Sequence, residues 1–297
     1  ETDIALLECT TTRCEVFRPA GDWFAHSNHA RTAEMASEDL FRGPDSLDRR
    51  RLMERAVESH LGRIDVTRAV GILRNRDGHA FPNASIVGNL FVLNAAVVEP
   101  SKRILWHSDA LQPYAPFGRY IPIAIGDATP PGAPVPASPF LETEAYREEA
   151  AEVARVRAAQ SAHDIDDDVE QANRLWAELF TNPPARLDLP PISIGWAYSL
   201  IAAERFEEAA SVLEAHVDQA SPREVRVAAT LLGGVCADGG GDREQAIAHY
   251  AEAAALMEEV PDQSFYDFLR EIAVEGRRRV LAPEEVQLSW WVTHVPR

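Results

Sequence analysis

Several groupings among the 297 residues have the types that chemistry needs, and most fail on spacing. Gly239-Gly240-Gly241 could cradle a phosphate, but neither the spacing nor the lysine of a phosphate loop follows, so it reads as a turn. Asp164, Asp166, Asp167 and Asp168 could ligate calcium, but the sixth position of such a loop is Val169 where glycine is needed. That run reads as solvated charge opening a helix. His26 and His29 lie three apart on an extended segment and face opposite sides, with no third ligand nearby. His107-Ser108-Asp109 holds the residue types of a catalytic triad, but neighbours along a strand cannot adopt triad geometry. Cys9 and Cys14 are five apart and would diverge if they shared one strand, so they read as small buried apolar residues. With Cys236 they are too few for a disulfide framework or a four-cysteine zinc site. No metal and no cofactor are expected.

A second set is polar and lies at the ends of elements. Ser27-Asn28-His29 follows an apolar run. Asp45-Ser46-Leu47-Asp48-Arg49 opens an arginine-rich helix, Ser85 opens a later strand, and Trp106 closes a hairpin. Taken singly, Asn28 is a turn former, Ser46 a helix cap and Arg49 a surface charge. Their order carries more. Leu6-Leu7-Glu8-Cys9-Thr10 precedes Ala25-His26-Ser27-Asn28-His29-Ala30. Then come Asp45-Ser46-Leu47-Asp48-Arg49-Arg50-Arg51-Leu52, Gly62, Ser85-Ile86-Val87 and Leu105-Trp106. This succession, over about residues 3–125, resembles the C-terminal half of the core domain in the acyl-coenzyme A:6-aminopenicillanate acyltransferase (isopenicillin N acyltransferase) family. Those enzymes are autoproteolytic and use an N-terminal nucleophile.

The resemblance implies an amidohydrolase or acyltransferase that attacks an amide or thioester through an acyl-cysteine. Asn28 would give its side-chain amide to the oxyanion. Ser46 and Arg49 would brace or line the site, with His29, Ser85 and Trp106 on the substrate side. The departures are Ser27 for the family's threonine, Ala30 for an aromatic, Val87 for a cysteine and Gly88-Asn89 for a basic residue. Glu1 is not a nucleophile, so the nucleophilic cysteine is expected upstream of residue 1 and the chain by itself is expected to be silent. The implied substrate is a small amide or thioester.

These residues need elements to hold them. Ile4–Cys9, Cys14–Arg18 and Trp23–His26 read as a β-meander. Ser46 should cap one helix and Asp65 a second, carrying Val66, Ala69, Val70 and Leu73 on one face. Residues 86–98 read as a long strand, Pro100-Ser101-Lys102 as its turn, 103–107 as the returning strand and 120–125 as the last. The reading is α+β: a partial αββα-type N-terminal-nucleophile hydrolase core in 1–126. Residues 127–140, with five prolines, read as a stiff linker. An all-α helical-hairpin, tetratricopeptide-like region follows in 141–297. A weak repeat places Glu207-Glu208-Ala209 and Glu244-Gln245-Ala246 37 residues apart, near the ~34 of a tetratricopeptide unit.

Charge separates the same regions. Residues 1–126 hold 15 basic and 16 acidic side chains, and the remainder 14 and 31, so a net −18 sits almost wholly in the second part. That balance argues against nucleic acid and against an anionic membrane, and no apolar run reaches the ~18 residues of a membrane span. All basic residues but Lys102 are arginine, which reads as genome composition. The compartment stays open, with the cytoplasm favoured. The alternative function is a non-catalytic helical-repeat protein whose acidic surface binds a peptide, so a protein partner on the helical region is the further expectation.

Overall fold

The computed structural model describes residues 4–36, 44–76, 87, 92, 94–110, 114–129, 132–183, 189–258 and 266–286. The chain is α+β and divides into two units, Glu1–Gly78 with Ala84–Leu141 and His79–Asn83 with Glu142–Arg297.

The first unit opens with strands β1 (Leu6–Cys9) and β2 (Cys14–Phe17), an antiparallel hairpin in register Leu6↔Phe17 and Cys9↔Cys14. The register makes the two cysteines cross-strand partners, and they form a disulfide. Small buried thiols were expected; the tight turn at residues 10–13 instead brings the two face to face on an exposed hairpin. Residues 23–26, expected as a third strand, form none. The chain there carries Ala25 and His29 inward, and side chains rather than a ladder take up the polar groups that follow. Helix α1 (Ala33–Ala36) is one turn, and α2 (Pro44–Glu58) starts at a proline, whose missing N–H is harmless in a first turn. Ser46 is therefore inside the helix and not its cap. Asp65 does cap α3 (Val66–Leu73), accepting from the Arg68 N–H at 2.8 Å.

Strands β3 (Ala96–Glu99), β4 (Ile104–Ser108) and β5 (Tyr120–Ala124) form an antiparallel sheet in sequence order. Most of the expected long strand before Ala96 lies outside the described residues. β4 alternates in burial, as a half-covered strand must. Its inward Ile104 and Trp106 pack with Val70, Ala95, Tyr120 and Val135. Val135 belongs to the proline-rich stretch expected as a free linker. It lies between Pro134 and Pro136, keeps its N–H, and exchanges two 3.0 Å hydrogen bonds with Tyr120. The Arg74 guanidinium reinforces this seam, donating to the carbonyls of Pro116, Gly118 and Pro136. The stretch is thus a one-residue edge to the sheet, and the units divide after Leu141.

The second unit is a run of helical hairpins: α4 (Glu144–Asp164) with α5 (Val169–Thr181), α6 (Leu189–Ala202) with α7 (Phe206–His216), and α8 (Arg223–Gly239) with α9 (Arg243–Glu258), followed by α10 (Tyr266–Arg278) against α9. α6 is buried nearly all round and forms the spine. The aspartate run ends in Asp168, which caps α5 through the Gln171 N–H. The glycine run ends α8, with Gly241 at φ +83°. The Tyr250 ring fills a slot between Gly234 of α8 and Gly276 of α10, where any Cβ would come within 2.7 Å of it. Ala209 and Ala246, the positions related by the expected 37-residue spacing, are both fully buried in the first turn of a hairpin's second helix.

Candidate functional site

The candidate site grows from one face of α2. Ser46, Arg49 and Arg50 recur at three- and four-residue spacing, which places them side by side. They meet the loop that carries Ser27, Asn28 and His29. Ser46 Oγ accepts the His29 backbone N–H at 3.0 Å and lies 2.9 Å from His29 Nδ1. Arg49 donates from Nε to Ser27 Oγ and from Nη2 to Asn28 Oδ1, both at 3.2 Å. Arg50 Nη1 lies 3.0 Å from His29 Nε2.

These contacts fix chemical roles. A guanidinium only donates, so His29 Nε2 must accept from Arg50, and the proton of the neutral ring sits on Nδ1. Nδ1–H then donates to Ser46 Oγ. The Ser46 hydroxyl receives two N–H groups and faces a protonated nitrogen, so it is no nucleophile activated by that imidazole. Ser46 is 1 % and His29 6 % exposed; the pair is a buried brace. Asn28 is exposed, and Arg49 identifies the oxygen of its amide. The carbonyl is anchored on the helix, which leaves the Asn28 NH2 as the end of the side chain that can serve an anion.

The loop is held from the other side by Glu8 on β1. Its carboxylate accepts from Arg31 N, Thr32 N and Thr32 Oγ1 at 2.5, 2.9 and 2.7 Å. Burial opposes its ionisation, but the Thr32 and Arg31 donors outweigh it, and the net shift is below the ordinary carboxylate value. Arg31 stacks over Phe17 at 4.7 Å and pairs with Glu54 of α2 at 3.6 Å.

The structure therefore brings together Asn28, His29, Ser46 and Arg49. Ser85 lies outside the described residues. Trp106 is a core residue, 4 % exposed, its indole N–H donated to Glu99 at 2.9 Å, so it offers no open face to a substrate. Lys102 and that indole hold the Glu99 carboxyl below its usual range. His107-Ser108-Asp109 is structural: Ser108 donates to the Ala115 carbonyl, and Asp109 accepts from Arg119. None of the three cysteines offers a thiolate. Cys9 and Cys14 are bonded, and burial pushes the Cys236 thiol up to about 12. Sequence reasoning gave no role to Glu8 or Arg50. Both sat inside the quoted motifs, and the signal for Arg50 was its position four residues after Ser46.

No family model matches the chain, and no curated protein and no solved structure matches it.

Proposed function

We propose that the first unit is part of a cysteine N-terminal-nucleophile amidohydrolase or acyltransferase, acting on a small amide or thioester. Its nucleophile would come from outside residues 1–297. One observation carries this reading: four residues of the motif order meet in two pairs, His29 with Ser46 and Asn28 with Arg49, 17 and 21 positions apart, at 2.9–3.2 Å. The three cysteines of the chain are bonded or buried, which supports a nucleophile from elsewhere. In this reading the nucleophile's α-amino group takes the thiol proton, and sulfur bonds to the substrate carbonyl carbon. The oxygen gains the charge and receives the Asn28 N–H. Collapse breaks the C–N or C–S bond, and the α-ammonium returns its proton to the leaving amine or thiolate. Water or an amine then resolves the acyl-cysteine. The two sheets and the helix pair would be a portion of the αββα core. The hairpins α6–α7 and α8–α9 would be degenerate tetratricopeptide-like repeats, supported by the equivalence of Ala209 and Ala246.

The test uses the complete translation product containing residues 1–297, its intact mass followed through incubation. Two fragments, the second beginning with cysteine, are expected. A single uncut chain without an N-terminal Cys, Ser or Thr overturns the reading. In a processed enzyme, Asn28→Ala should lower kcat by about 10²–10³ while leaving the fold unchanged, since Asn28 is exposed. A second reading, an interaction protein, is favoured by a groove in the helical unit.

A further inference from the structure

The helical unit contains a groove of about 450 Å³ bounded by α7, α8 and α9. Its floor is one face of α8. Ala229, Thr230, Gly233 and Ala237 recur there at three- and four-residue spacing, with nothing larger than threonine between Arg226 and Gly240. Phe206, Leu213, Val217 and Leu256 supply apolar walls. The hollow exists because α8 lacks the bulk to fill the space between its neighbours.

The rim is acidic. Glu207, Glu214, Asp218, Asp242 and Glu252 line it against one cation, Arg226. Glu207, Glu214 and Glu252 are exposed and make no ion pair among the described residues. Glu208 holds Arg205 through two 2.7 Å contacts, and Glu285 holds Arg279 at 2.6 Å. Arg226 is thus the one arginine among the lining residues, set against five carboxylates.

We infer that this groove docks a basic amphipathic helical segment of a protein partner. Apolar side chains at three- and four-residue spacing would enter over the α8 floor, and flanking lysines or arginines would meet Glu207, Glu214 and Glu252. A second copy of the chain is disfavoured, because residues 127–297 carry a net charge of −17 and would repel themselves. This inference deepens the interaction reading and does not rest on the acyl-transfer proposal; either can fail alone.

The test is fluorescence anisotropy of the whole chain with a labelled synthetic peptide of about 18 residues, roughly 27 Å of helix. One peptide carries leucines on one face and lysines on the other; its counterpart replaces every lysine by glutamate. The basic peptide is expected to bind, and to bind at least about tenfold more weakly as salt rises from about 50 to about 300 mM. The acidic peptide is expected not to bind. Glu207→Gln/Glu214→Gln/Glu252→Gln should weaken binding about tenfold or more. Glu144→Gln/Glu258→Gln/Glu271→Gln, with the same net charge, should not. Gly233→Leu, which fills the floor, should weaken binding as well, with circular dichroism confirming the fold. Failure of the basic peptide to bind, equal binding of the acidic one, or equal loss in the two glutamine variants overturns the inference. Self-association relieved by the rim variant would also overturn it, in favour of a second copy.

Discussion

The cluster around Asn28 and the groove of the helical unit are built by opposite means. The cluster stands on side-chain hydrogen bonds: Glu8 to the 31–32 backbone, Ser46 to His29, Arg49 to Asn28. Among the described residues of that unit, the apolar clusters are small, such as those around Trp106 and Tyr120 and around Leu52 and Val87. The groove instead stands on a large continuous core that runs from α6 to α10. Its shape follows from which residues are small. Polar struts fix individual atoms, as the proposed oxyanion donor would require. Apolar packing fixes a surface, which is what a docking helix requires. The two units therefore differ in what a single substitution can disturb: one loop in the first, a whole helical array in the second.

The largest effect is expected where the helical unit borrows the polar strategy. Asp238 has a side chain only 1 % exposed, held by Arg243 at 2.9 Å and by the Tyr250 hydroxyl at 3.2 Å. Arg243 also donates to the Gly276 carbonyl at 2.6 Å. Arg243→Met leaves a buried carboxylate without its cation and should destabilise the unit by about 3–5 kcal/mol, read from urea unfolding. Arg243→Met/Asp238→Leu should recover a good part of that loss. Hydrogen exchange should show the change in α8–α10 and not at residues 27–32.

Ser46→Ala reverses the geography. It leaves the His29 backbone N–H and Nδ1–H buried without their acceptor, a loss of about 2 kcal/mol. Faster exchange at residues 29–32 with unchanged protection in α6–α9 would sharpen the contrast between strut and array. Uniform acceleration across both units would break it.

Legibility in the sequence follows the same division. Elements set by local signals were readable: the Asp65 cap, the β4 and β5 strands, and the small residues at helix crossings. Misreadings arose where distant contacts overrode local ones. Ser46 has the chemistry of a cap, but His29, 17 residues away, takes its hydroxyl. Val135 sits among prolines that forbid a strand, yet the free edge of Tyr120 pairs with it. Cys9 and Cys14 depended on a hairpin register that no period of two reveals. Trp106 fell in a motif position, but the alternation of β4 turns it into the core. Within the candidate site, the motif order pointed to Asn28, His29, Ser46 and Arg49. It gave no means of seeing that Glu8 holds the loop from behind.

Glu8 offers the smallest and most discriminating break. Its carboxyl is held below the ordinary value of 4.5; burial works against this, and the donors of Thr32 and Arg31 prevail. A group with a depressed folded-state pKa contributes fully above its unfolded value and loses that contribution as pH falls through the folded one. Stability of the 27–32 loop should therefore be flat above about pH 4.5 and decline below it. Glu8→Gln replaces an acceptor of three hydrogen bonds with an amide that presents one oxygen and its own donors. It should cost about 1 kcal/mol at neutral pH and flatten the acid limb. The measurement is hydrogen exchange of residues 29–32 against pH, compared with that of α8. A variant that keeps the full acid dependence would remove Glu8 as the strut. The loop would then stand on Arg31, Ser46 and the contacts of α2 alone.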